Sequence, residues 1–286
     1  MRLKINLRID KLPIVYRHRI MSLLKEALDK SKIKDKYYNK NIKITKFFTF
    51  SLLYSEQNKV KKIIRIDENY EIQDFVFYIN DKDVYLFVSS PDIEFLSYIY
   101  NGLLDLKGKN FNFSTDHEML IRENESYNKI SFVINNIYLL KSGNEVKKEE
   151  VFLKTKSPIL LSDIYKKNPI LPKHVMGGNN KNSIYLDTVE YSKQLNIVNL
   201  KKLRYFYKDN NINEQIEFIP INLKKSVIKH TLKGFREKTN KPVMYLTGIS
   251  GIFKLRCNNI DVLNTLVQMG LGVRTGQGFG MVEVLK

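Results

Sequence analysis

The chain has 286 residues, enough for one large or two ordinary domains, each with its own core. Its 48 Lys and Arg against 30 Asp and Glu leave a formal net charge of +18, a positive field suited to a polyanion such as nucleic acid. A general Lys, Ile and Asn bias would raise lysine everywhere without making a patch, and it stays open as the plainer source of the charge. A single cysteine, Cys257, and scattered histidines exclude a disulfide framework and give no metal-ligand spacing. No apolar run approaches the ~18 residues of a membrane span. Charged and apolar residues alternate at the N-terminus, with no signal-peptide core, so a cytoplasmic protein without cofactor or membrane partner is expected.

In chain order, Arg2–Arg8 alternates with Leu3, Ile5 and Leu7 on one face and predicts a strand. Ile20, Met21, Leu24, Ala27 and Leu28 predict a helix over about 14–29. The lysine-rich stretch Lys30–Lys43 contains Tyr37 and Tyr38, and is too charged for a core and too aromatic for a plain linker. An aromatic strand follows over 46–54, with further strands near 63–66, 71–79 and 84–89. Pro91 and Asp92 open a helix to about Leu104, and strands near 111–113, 119–122 and 130–140 complete the half. This order is ferredoxin-like, and the polar segment 141–150 is the expected boundary between domains 1–145 and 150–286.

The second half repeats the scheme: a strand over 151–161, a loop excursion over 164–183, a helix over about 187–207, a strand over 215–222, a strand pair over 243–257, a helix over 259–269 and a last strand over 279–285. The expected fold class is therefore α+β, with two tandem ferredoxin-like, RRM-like domains and a C-terminal glycine-rich loop. The basic run 224–241, with Lys225, Lys229, Lys233 and Arg236, predicts a hairpin that is either a solvated charged surface or an RNA contact.

Between the last helix and strand lies Gly270–Gly280, G-L-G-V-R-T-G-Q-G-F-G, with five glycines around Arg274 and Thr275. The order helix, glycines, strand is the reverse of a dinucleotide-binding turn, and no G-K-[ST] follows. Two readings stand: a tight turn against the core, or a loop whose backbone closely approaches a phosphate through Gly270, Gly272, Arg274, Thr275, Gly276, Gln277 and Gly278.

The string resembles the C-terminal glycine-rich loop of the RAMP proteins of CRISPR systems, and its continuation G-F-G-M-V-E-V resembles their repeat-processing endoribonuclease branch. The Y-R-H-R helix start, the F-F-T-F-S strand and the T-K-S-P-I-L-L strand extend the resemblance over both halves. It implies metal-independent cleavage of CRISPR repeat RNA in the precursor crRNA, with the 2′-hydroxyl attacking the adjacent phosphate. A coat subunit that binds guide RNA in an effector complex shares the same features, and a homodimer stays open. Family members often carry a histidine base before the F-T-[YF]-S strand and a lysine immediately preceding it. Lys46 matches the lysine, while Lys40 stands where the histidine would be. His18 is the nearby alternative, and Tyr37 and Tyr38 complete the candidate set. Lysine as a base needs a pKa well below its ordinary ~10.4. Three variants stay open: His18 with Lys46, loop lysines and a tyrosine acting electrostatically, or binding without efficient cleavage.

Overall fold

The computed structural model describes residues 1–38, 46–55, 58–79, 83–140, 145–163, 168–177 and 182–285. The first strand, β1 (Arg2–Arg8), buries Leu3, Ile5 and Leu7 as its alternation requires. The strand β2 (Lys11–Pro13) follows, and α1 (Arg17–Lys30) then buries Ile20, Leu23, Leu24, Ala27 and Leu28, a stripe at helical spacing. The helix starts at Arg17 rather than Ile14 because Ile14 donates its amide to Phe75 O, extending the pairing of β2. After the single turn α2 (Lys34–Tyr37) come β3 (Thr49–Tyr54), β4 (Asn58–Asp67), β5 (Tyr70–Tyr78) and β6 (Asp83–Ser89).

Asp92 caps α3 (Ile93–Leu106) by accepting from the Phe95 amide at 2.9 Å. Helix α3 packs against α1 so closely that a Cβ at Gly102 would lie 1.9 Å from Ala27 O. The half ends with β7 (Asn110–Asn112), β8 (Leu120–Glu123), β9 (Ser126–Asn128) and β10 (Ser131–Leu140). The antiparallel order β3-β6-β1-β10 is that of a ferredoxin-like sheet, with β7 added at one edge.

The second sheet in this half lies outside the ferredoxin plan. Strands near 63–66, 71–79 and 119–122 do form, but as β4, β5 and β8 they join β2 and β9 in a separate sheet, β2-β5-β4-β8-β9.

The second half contains β11 (Glu150–Thr155), a parallel pair β12 (Ile170–Pro172) and β13 (Ile184–Leu186), α4 (Thr188–Tyr207), β14 (Glu217–His230), α5 (Lys233–Thr239), β15 (Met244–Arg256), α6 (Ile260–Met269) and β16 (Val282–Val284). Its sheet order, β14-β15-β11-β16, repeats the ferredoxin-like plan around a second core that begins at Val146. Asp187 and Asn259 cap α4 and α6.

Four local expectations are corrected here. The strand pair over 243–257 is one continuous strand, β15, paired along β14, and Gly251 at φ 138° absorbs the irregularity opposite Asn222 and Leu223. The first strand stops at Thr155, after which Ile159 crosses over to bridge Ile249. The last strand shortens to Val282–Val284, because Phe279 turns into the interior and Gly280 takes φ 71°. The basic run is the end of β14 followed by α5 rather than a plain hairpin.

Within that run, Arg236 is 2% exposed. It pairs with Asp67 and, at 3.1 Å, with Glu118, both from the first half. It is a tie between the halves and not an RNA contact. Removing one member of a buried pair strands its partners, so Arg236→Met should lower the urea unfolding free energy by about 3 kcal/mol. Exposed Lys233→Met should change it by no more than about 0.5 kcal/mol. Equal effects would contradict this assignment.

Candidate nucleic-acid interface

Residues 270–281 run along the seam between the halves, against β3. Thr49 Oγ1 donates to Phe279 O at 2.8 Å, and Arg2 Nη2 donates to Val282 O at 2.7 Å. The close approach needs glycine at two points. A Cβ at Gly278, where φ is +86°, would lie 2.6 Å from the Phe50 ring, and one at Gly276 would lie 2.8 Å from both Cβ and Cγ of Lys46.

Loop amides expected to face a phosphate are largely committed inside the protein. Gly270 N donates to Leu266 O, Gly278 N to Thr275 O and Gly280 N to Pro158 O, while Gly272 N donates to Asn199 Oδ1 at 3.1 Å. Gly270, Gly272, Thr275, Gly276 and Gly278 are buried. Arg274 is the exposed member, held at φ 59° with Nη1 donating to Gln277 Oε1 at 3.1 Å. The loop is therefore a packed wall with one outward cation.

Lys46 faces that wall. Its Nζ donates to Tyr37 O and lies 4.2 Å from the centroid of the Tyr38 ring, over which Lys25 Nζ sits at 5.1 Å. Burial first, and then the Lys25 charge, lower the Lys46 pKa to about 8. Burial also lowers Lys25, with Lys34 adding to it. No carboxylate pairs with Lys25, Lys46 or Arg274 among the described residues.

The remaining candidates divide. Tyr38 is enclosed, its hydroxyl has no partner, and burial raises its pKa. Tyr37 donates to Asp92 Oδ2 at 3.3 Å and is raised by burial and then by Asp92. Tyr37 O and the Tyr38 ring both meet Lys46, and neither phenol is made more acidic by its surroundings. Lys40 lies outside the described residues.

His18 is not poised for an open cleft. Its Nδ1 donates to Val15 O at 3.0 Å, its Nε2 is sealed and unpartnered, and burial, Arg19 and His230 lower its pKa to about 3. His230, at the end of β14, is fully buried with its ring edge-on to Phe279 at 5.6 Å. The Arg17 guanidinium lies 5.0 Å from the centroid of the same Phe279 ring.

From Arg17 a groove of about 400 Å³ opens between the inserted sheet and the β14–β15 ends, lined by Tyr16, Tyr54, Lys59, Phe75 and Tyr245. Tyr245 is 64% exposed, and Lys59 Nζ sits 4.3 Å from the centroid of the Phe75 ring. Lys229 also lines this groove but is paired with Asp74 at 2.5 Å. Lys225 donates its amide to Met176 O at 2.8 Å, and Lys233 lies out on α5, 4.0 Å from Glu237.

Sequence reasoning missed Lys25, Arg17, Asn199 and Lys202. The last two were visible as polar residues within the apolar stripe of α4, which includes Tyr191, Leu195 and Leu203.

Comparison with known proteins gives a consistent picture. A family model described as CRISPR associated protein Cas6, C-terminal, matches residues 141–284. No curated protein sequence matches the chain. A solved structure described as CRISPR associated protein Cas6 aligns over 100% of this chain and 99% of its own, with TM-score 0.63 and 20% identity. A RAMP protein binding different RNA substrates aligns over 100% of both chains with TM-score 0.66 and 17% identity. The product of a Cas6-related gene from Pyrococcus furiosus covers 100% of this chain and 98% of its own, with TM-score 0.63 and 18% identity. Identities this low speak for the fold alone.

The packed seam predicts a graded response to alanine at left-handed glycines. Gly108→Ala, which meets nothing within 4 Å, should cost about 1 kcal/mol from backbone strain alone. Gly278→Ala, strained and colliding with Phe50, should cost about 3 kcal/mol by urea unfolding. Equal losses would contradict the tight seating.

Proposed function

The chain belongs to the CRISPR associated protein Cas6 family, and from that premise we propose that it binds CRISPR repeat RNA and cleaves it without a metal ion. The observation that carries this reading is the meeting of Gly276 with Lys46, which brings a cation of one half against the glycine loop of the other. In the reaction the 2′-oxygen loses its proton to solvent and bonds to the adjacent phosphorus. The 5′-oxygen leaves with a proton, giving a cyclic phosphate and a 5′-hydroxyl. Below pH 8 most Lys46 is ammonium, able to stabilise the phosphorane charge and to supply the leaving oxygen's proton. Arg274 and Lys25 add positive charge, and Arg17 leads the strand towards the groove, where Tyr245 offers a face for stacking. The mechanism is one of charge and alignment, without a histidine base among the described residues.

A second reading, a subunit that binds guide RNA without cutting it, is favoured by the sealed Nε2 of His18. One assay separates the two. Repeat RNA incubated with the protein in EDTA should be cut, a repeat with deoxyribose at the scissile position should stay whole, and Lys46→Ala should slow single turnover at least about tenfold. Tight binding with intact RNA would support the second reading instead. The pH profile tests the role of Lys46. The parental rate should climb with pH and level off near or above pH 8, since a bound phosphate favours the ammonium. Lys46→Ala should climb without levelling, and a shared plateau would remove Lys46 as the acid.

A further inference from the structure

Helix α4 carries an ammonium where an apolar side chain would be expected. Lys202 is 9% exposed, and its Nζ donates to Gly270 O at 2.5 Å, at the C-terminus of α6 where helix carbonyls lack partners. No carboxylate pairs with it among the described residues. Three residues earlier, on the same face, Asn199 is fully buried and its Oδ1 accepts from Gly272 N at 3.1 Å, while its Nδ2 has no partner. Two adjacent polar side chains of one helix thus hold both ends of the turn with which the glycine loop begins.

We propose that Asn199 and Lys202 are positioning residues, a clamp from α4 that fixes the loop so that Gly276 keeps its place against Lys46. The inference rests on the cleavage reading above for its functional consequence. Leucine or methionine would pack α4 as well without desolvating a charge. What they could not do is occupy Gly270 O, the carbonyl from which the chain departs at φ 82° to cross the seam.

Burial lowers the Lys202 pKa to about 7. The folded-state value lies below the ordinary lysine value, so between about pH 7 and pH 10 the unfolded chain binds more protons, and stability rises with pH in that window. The clamp therefore weakens the folded state most at and below neutrality.

Lys202→Met keeps an unbranched side chain and removes the donor. With protein in saturating excess over repeat RNA, the variant should lose about tenfold in single-turnover rate while RNA affinity is unchanged. Its Tm at pH 6 should equal or exceed the parent's, and the gain in stability from pH 7 to pH 10 should shrink. Hydrogen exchange at the Leu271 and Gly272 amides should quicken, with the β11 amides unaffected. A purely structural role would instead lower Tm together with the rate. A parental rate, parental exchange in the loop, or parallel loss of Tm and rate would each overturn the proposal. Should the parent itself leave RNA intact in EDTA, the cleavage reading fails while loop exchange still decides whether the clamp exists.

Discussion

The seating of residues 270–281 against β3 is the constraint on which the site depends. Two ferredoxin-like units could be joined in many orientations, and the loop of the second selects one by wedging backbone where side chains would collide. Thr49 Oγ1 on Phe279 O, Ser51 Oγ on Lys156 O at 2.7 Å and Arg2 on Val282 O fasten the seam with hydrogen bonds. Such bonds are costly to leave unmade once buried. Arg236 with Asp67 and Glu118, and Lys229 with Asp74, add ion pairs between the two units. The meeting of Gly276 with Lys46 is a product of this docking, since the two come from different units.

Around Lys46 the structure gathers positive charge. Lys25 and Lys46 both lie over the Tyr38 ring, half-buried, with no carboxylate among the described residues to neutralise them, and the result is a lysine whose proton is held less firmly than usual. A phosphodiester placed there would relieve the repulsion between the two ammonium groups. The two histidines near the seam take the opposite course. His230 is buried and His18 half-buried, both forced towards the neutral form, His230 against Phe279 and His18 on Val15 O.

Much of the fold was legible in local pattern. Alternation in β1, the apolar stripes of α1 and α3 and the caps Asp92, Asp187 and Asn259 each express a rule contained within a few residues. Sheet membership was not, because β4 and β5 carry the same half-buried alternation whether they extend the ferredoxin-like sheet or build a second one. Their partners β2 and β8 come from distant parts of the chain, and β9 is added beyond β8. The site was legible at Lys46 and Arg274, whose neighbours in sequence set them apart. It was obscure at Arg236 and His230, where a run of basic residues suggested solvent and long-range packing supplied burial. In the glycine string the turn reading fits the structure: the glycines serve packing, and Arg274 is left outward.

The central claim is that Gly276 and Lys46 form one site, and a double-mutant cycle on single-turnover cleavage of repeat RNA measures this most directly. If they act as one, Gly276→Ala, which pushes a methyl group onto Lys46, and Lys46→Ala should each slow cleavage, and the double variant should be no slower than the worse single variant. Effects that add in free energy would mean that loop and lysine act independently, contradicting the account.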